Sequence, residues 1–81
     1  MKKLLINILS IRKHLLKSGK GFKNKMKCYS LIGKFENHLE NYPNISEKAI
    51  RAYMTKHKDD ILFLLPKNST GDSIKEKLSI L

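Results

Sequence analysis

The sequence predicts an all-α fold, a small compact bundle of about four helices. Apolar residues recur at helical spacing along most of its 81 residues. Breaks bearing glycine or proline divide the chain into helix-length segments, and none alternates apolar and polar residues as a half-buried strand would. Length sets the scale: residues 1–81 make one domain, and a chain this short buries only about 60% of its unfolded surface, so its core is marginal. A second copy or a partner would add burial, and monomer and homodimer both remain open.

The first helix is expected from about Lys3 to Lys17, with Leu4, Ile8, Ile11 and Leu15 as its stripe. Leu5, Leu9 and Leu16 widen that stripe. Ser18-Gly19-Lys20-Gly21 ends it, because glycine takes the left-handed conformation that terminates helices. The second helix is expected from Phe22 to Asn41, on the stripe Cys28, Leu31, Phe35, Leu39 and Tyr42. Gly33 falls inside it, where glycine costs up to ~1 kcal/mol relative to alanine. Close approach of a neighbouring helix is the expected reason. Tyr42-Pro43-Asn44 stops this helix, since proline restricts the residue before it and carries no N–H.

Asn44 or Ser46 is expected to cap a third helix, and Asn44 with Glu47 has capping-box spacing. Its stripe is Ile50, Tyr53, Met54, His57, Ile61 and Leu64, ending before Pro66. Phe63 lies on the opposite side, so the end of this helix is expected to be buried all round. A loop from Lys67 to Asp72 then leads to a short fourth helix. Ser73 and Glu76 form its capping box, and Ile74, Leu78 and Leu81 its stripe.

Charge is distributed less evenly than structure. The net charge is +10, from 17 Lys and Arg against 7 Asp and Glu. Residues 1–35 hold Lys2, Lys3, Arg12, Lys13, Lys17, Lys20, Lys23, Lys25, Lys27 and Lys34 and no acid, whereas residues 36–81 are neutral. Such segregation marks an electrostatic footprint for an anionic partner. The basic residues are nearly all lysine, a flexible point charge suited to phosphate without base reading. Lys23 and Lys25 also fall in the first turns of the second helix, where the macrodipole disfavours cations by roughly 0.3–1 kcal/mol each. An external anion at this corner would account for that arrangement. Arg12 stands apart, inside the apolar arc of the first helix. It is expected either to snorkel near the helix end or to pair with an acid of the neutral half.

Several function classes are disfavoured. Cys28 is the single cysteine, so no intrachain disulfide forms, and with His14, His38 and His57 it lacks zinc-ligand spacing. No metal or other cofactor is expected. Met1-Lys2-Lys3-Leu4-Leu5-Ile6 is similar to the opening of a signal peptide, but Asn7, Ser10 and Arg12-Lys13-His14 interrupt it and no cleavage site follows. The longest apolar run, Ile61 to Leu65, is far too short to span a membrane, and a cytoplasmic location is expected. There is no glycine-rich phosphate loop and no nucleophile motif. Asp59 and Asp60 are adjacent on a helix and point about 100° apart. The chain is therefore expected not to be an enzyme.

Residues 44–54, Asn-Ile-Ser-Glu-Lys-Ala-Ile-Arg-Ala-Tyr-Met, resemble the start of the recognition helix in helix-turn-helix DNA-binding proteins. Asn44, Ile45, Ser46, Ile50 and Tyr53 fill the turn, apolar and cap positions. The resemblance implies that Glu47, Lys48 and Arg51 face a major groove. It departs from the pattern at Glu40, where a small residue is usual, and at Pro43, where a hydrophobic one is. Arg51 and His57, with five residues between them, are also similar in spacing to the Arg and His of HEPN-type ribonucleases. Against that, His57 falls on the apolar stripe and reads as a histidine at the core edge.

The resulting expectation is a basic nucleic-acid-binding protein, for DNA or RNA, acting through the phosphate backbone. An accessory protein of a mobile element or virus, or a ribonucleoprotein component, would fit. The candidate contacts are Arg12, Lys13, Lys17, Lys20, Lys23, Lys25 and Lys27, with Lys48 and Arg51 from the helix-turn-helix resemblance. The alternative is a regulator or inhibitor that docks the same patch on an acidic protein surface. A third reading, adsorption of the first helix to a membrane surface, requires its apolar face to be uncovered.

Overall fold

The computed structural model describes residues 1–19 and 24–81. Among them are five helices and no strand: α1 (Lys2–Lys17), α2 (Lys25–Asn41), α3 (Glu47–Lys56), α4 (Lys58–Leu64) and α5 (Ser69–Leu78). The all-helical class is as expected, with one more helix than the periodicity implied.

α1, α2 and α4 pack on one another, and α3 packs on α4. Their shared core holds Leu5, Ile8, Leu9 and Leu16 of α1, Cys28, Leu31, Ile32 and Phe35 of α2, and Ile50, Met54, Ile61 and Leu64 of α3 and α4. Ile74 and Leu78 of α5 close it. The buried line of α1 is thus Leu5, Ile8, Leu9, Arg12 and Leu16, rotated from the expected line. Leu4 and Ile11 are only partly buried. The apolar face of α1 is consequently covered by the other helices.

The third expected helix is divided at His57, whose φ of −107° and ψ of 24° leave the helical region. The hydrogen-bond ladder nearly continues: His57 N–H donates to Tyr53 O, and Ile61 N–H donates to His57 O. Charge favours a joint here. Lys56 sits in the last turn of α3, and Asp59 and Asp60 sit in the first turn of α4, each suited to the local helix dipole. Phe63 is 36% exposed, so the end of α4 is not buried all round.

Of the expected caps, one is found and one is displaced. Ser46 caps α3, its hydroxyl accepting from Ala49 N–H at 3.1 Å. Asn68 rather than Ser73 caps α5, its Oδ1 accepting from Gly71 N–H at 3.0 Å. The expected loop 67–72 is therefore largely helix. Gly71 explains why this start is possible. A Cβ there would lie 1.7 Å from Pro66 O, so only glycine lets α5 turn back against the end of α4. Gly33 is the opposite case: nothing lies within 4 Å of the place its Cβ would occupy. The neighbouring helix expected there is absent among the described residues. Tyr42, assigned to the second stripe, is instead 56% exposed at the C-terminal cap of α2.

Candidate nucleic-acid interface

The basic corner is built from two helix ends. α1 closes at Ser18, followed by Gly19 in the left-handed region at φ +69°. Beyond the intervening segment, Asn24 also takes a left-handed conformation, and α2 begins directly with Lys25. No acid lies in the first turn of α2. Lys13, His14 and Lys17 at the end of α1, and Lys25 and Lys27 at the start of α2, are all exposed. Lys20 and Lys23 lie outside the described residues.

These cations are not equivalent. Lys13 Nζ stands 2.7 Å from Glu36 Oε2, an exposed ion pair joining α1 to α2. Lys27 Nζ sits 4.3 Å from the centroid of the Phe63 ring and leans toward α4. Among the described residues, Lys17, Lys25 and Lys27 have no carboxylate within 4 Å. They are the uncompensated charges of the corner.

Arg12 does not belong to this surface. It is 5% exposed, and its guanidinium donates through Nε to Leu64 O at 2.7 Å and through an Nη to Leu65 O at 2.9 Å. Those carbonyls end α4, where a helix leaves acceptors unsatisfied and favours a cation. Arg12 thus neither snorkels nor reaches an acid in these contacts; it serves a helix terminus from the core. The signal, a cation inside an apolar arc, was present in the sequence, but its partners are backbone atoms that no residue type announces.

Lys48 and Arg51 are exposed on α3, away from the corner. Arg51 borders a shallow depression with Lys3, Leu4, Glu47, Lys77 and Ile80, at the end of α1 opposite Lys17. About 20 Å of helix separates Lys3 from Lys17. Glu47 there is held by the chain's amino group at 3.1 Å and lies 3.9 Å from Arg51. The contribution of Lys3 and Lys77 is a tertiary fact that spacing does not carry.

A second groove runs between α1 and α2. Lys13, His14 and Lys17 line one wall, Glu36 and Glu40 the other, over Ile6, Leu9 and Leu39. Between α2 and α3, His38 stacks on Tyr53 with ring centroids 3.7 Å apart and planes 9° apart. Phe35 and Tyr42 border this stack, and His57 lies against Phe35 and Tyr53. Burial, reinforced by Lys34 and Lys56, pushes the His57 pKa below the ordinary histidine value. Burial and the neighbouring Asp60 push the Tyr53 hydroxyl up. Lys34 Nζ lies 3.3 Å from His57 Nδ1, and because an ammonium only donates, the neutral ring accepts here. Among the described residues no group of three His, Cys, Asp or Glu side chains could hold a metal ion, and no helix is long and apolar enough to cross a membrane.

No family model, curated protein or solved structure matches this chain.

Proposed function

We propose that this protein binds nucleic acid through electrostatic contacts to the phosphate backbone, centred on the corner where α1 ends and α2 begins. The observation that carries the reading is the uncompensated charge there. Lys25 and Lys27 occupy the first turn of α2 with no acid beside them, although the helix dipole disfavours cations at that end. A phosphate offsets that cost, because it accepts both the lysine charge and the exposed N–H groups of the helix start. Lys13 and Lys17 approach from α1, and Lys20 and Lys23 lie in the segment between. The reading excludes Arg12, which serves the fold.

The test is fluorescence anisotropy of labelled duplex DNA, single-stranded DNA and structured RNA across a salt series. Engagement of five or six phosphates of a duplex gives a log–log salt slope of roughly −4.5 to −5.5. Replacing Lys17, Lys20, Lys23 and Lys25 with glutamine is expected to flatten that slope by about four phosphates' worth, with the helical content unchanged. Absence of binding at low salt rejects the reading and directs attention to an acidic protein surface as the partner.

A further inference from the structure

We propose that the outer face of α2 is the element that enters the major groove of B-form duplex DNA. This rests on the nucleic-acid reading above and adds which helix meets the bases and which duplex it selects.

α2 buries Cys28, Leu31, Ile32 and Phe35. Its opposite face carries Met26, Ser30, Gly33 and Asn37, with Tyr29 beside them, all exposed. Met26 is 86% and Tyr29 57% exposed. In a chain that is 30% charged, this ridge holds no charge from Met26 to Asn37; Glu40 continues the same face near the C-terminal end of α2, where a carboxylate can accept from a cytosine amino group. The cations stand on its flanks: at 100° per residue, Lys25 falls to one side and Lys27 and Lys34 to the other. Glu36 shares the Lys25 flank and is already taken by Lys13. Lys34 lies 3.8 Å from Asp60 in an exposed pair, weak enough for a phosphate to displace.

That cross-section matches a groove. A helix with its side chains is about 10–12 Å across, and the major groove of B-form DNA is about 12 Å wide. Seated there, the uncharged ridge meets base edges and the flanking lysines meet phosphates of both strands. The chemistry of the ridge suits base edges. Asn37 offers an amide donor and acceptor, Ser30 a hydroxyl, and Met26 and Tyr29 apolar surface for a thymine methyl. Gly33 lets the helix backbone approach the groove floor, and no contact among the described residues explains its place in a helix. From Met26 to Asn37 the ridge is about 16 Å long, enough to follow roughly five base pairs. A-form RNA does not offer this seat, since its major groove is deep and narrow.

The experiment measures anisotropy with a labelled DNA duplex two helical turns long, of randomised sequence, and with duplex RNA of the same length. The proteins are the wild type, Gly33→Leu, Ser30→Leu and the double variant Lys25→Gln/Lys27→Gln, each with its melting temperature and sedimentation behaviour. The wild type is expected to bind DNA at least about tenfold more tightly than RNA. Gly33→Leu, which fills open space, is expected to melt no lower than wild type yet bind DNA roughly tenfold more weakly, with the salt slope retained. Ser30→Leu, also exposed, gives the same reading should Gly33→Leu fold poorly. The double lysine variant is expected to lower the salt slope by about two contacts. If both ridge variants bind DNA like wild type while the lysine variant is impaired, this inference is overturned and the nucleic-acid reading stands. Equal or tighter RNA binding, or a wild-type dimer that the ridge variants dissociate, overturns it as well. Failure of the wild type to bind either duplex removes both readings.

Discussion

At the scale of single residues, Arg12 shows how a charged side chain becomes a core residue. Its aliphatic stem continues the line of Leu5, Ile8, Leu9 and Leu16, and its guanidinium reaches the last carbonyls of α4. Pro66 follows those carbonyls and brings no N–H of its own. Without Arg12, Leu64 O and Leu65 O would lose these donors in a setting shielded from water, at a cost of about 1–3 kcal/mol for each unsatisfied group. Arg12→Met keeps the stem and removes the donors. It is expected to cost about 3 kcal/mol and to lower the melting temperature by more than about 10 °C in a domain of this size. Arg12→Lys should recover only part, because an ammonium does not present the guanidinium fork to two carbonyls. Equal melting temperatures for wild type and Arg12→Met, by circular dichroism, would refute this. The sequence flagged Arg12 as anomalous but could not name its role, since the carbonyls it meets are 52 and 53 residues away.

At the scale of elements, apolar periodicity located α1, α2 and the combined length of α3 and α4, but it was blind to the joint at His57. The reason is geometric. Ile50, Met54, Ile61 and Leu64 keep one helical phase across the joint, so the stripe reads the same with or without a break. The first turn of α5 is hidden in the sequence for a different reason. Asn68 and Gly71 look like loop residues until Pro66 is seen to need a glycine against it. The joint carries a pH dependence. His57 has its pKa lowered by burial first, then by Lys34 and Lys56, with His38 adding slightly and Asp60 opposing. Tyr53 faces it as well. A histidine whose folded pKa lies below its unfolded value takes up its proton more readily when unfolded. Its contribution is therefore complete above pH 6.5, the ordinary value, and is lost as pH falls through and below it. Thermal melts at stepped pH should show stability beginning to decline as pH falls through about 6.5. In His57→Gln that early decline should flatten, whatever the baseline loss of ring packing. An unchanged slope in the variant would assign the decline to other groups.

At the scale of the whole molecule, the charge asymmetry was fully legible in the sequence, while the grouping of charges in space was not. Counting along the chain separates a basic half from a neutral one, but only the fold sends Arg51 to join Lys3 and Lys77 at the far end of α1 and turns Arg12 inward. What remains at the corner is charge that stability alone would not select. Lys25 opens α2, has no carboxylate within 4 Å among the described residues, and belongs to a chain of net charge +10. Both the helix dipole and the surrounding lysines oppose it. Lys25→Gln is therefore expected to stabilise the protein by roughly 0.3–1 kcal/mol at low salt, a rise of up to about 6 °C in melting temperature. The gain should shrink as added salt shortens the screening length from about 10 Å at 0.1 M toward 3 Å at 1 M. The same substitution should weaken nucleic-acid binding and reduce its salt slope by about one contact. Opposite signs for stability and binding distinguish a residue kept for an external anion from one kept for the fold. A lower melting temperature for Lys25→Gln, or a salt slope that does not move, would place the reason for this lysine inside the chain rather than in a partner.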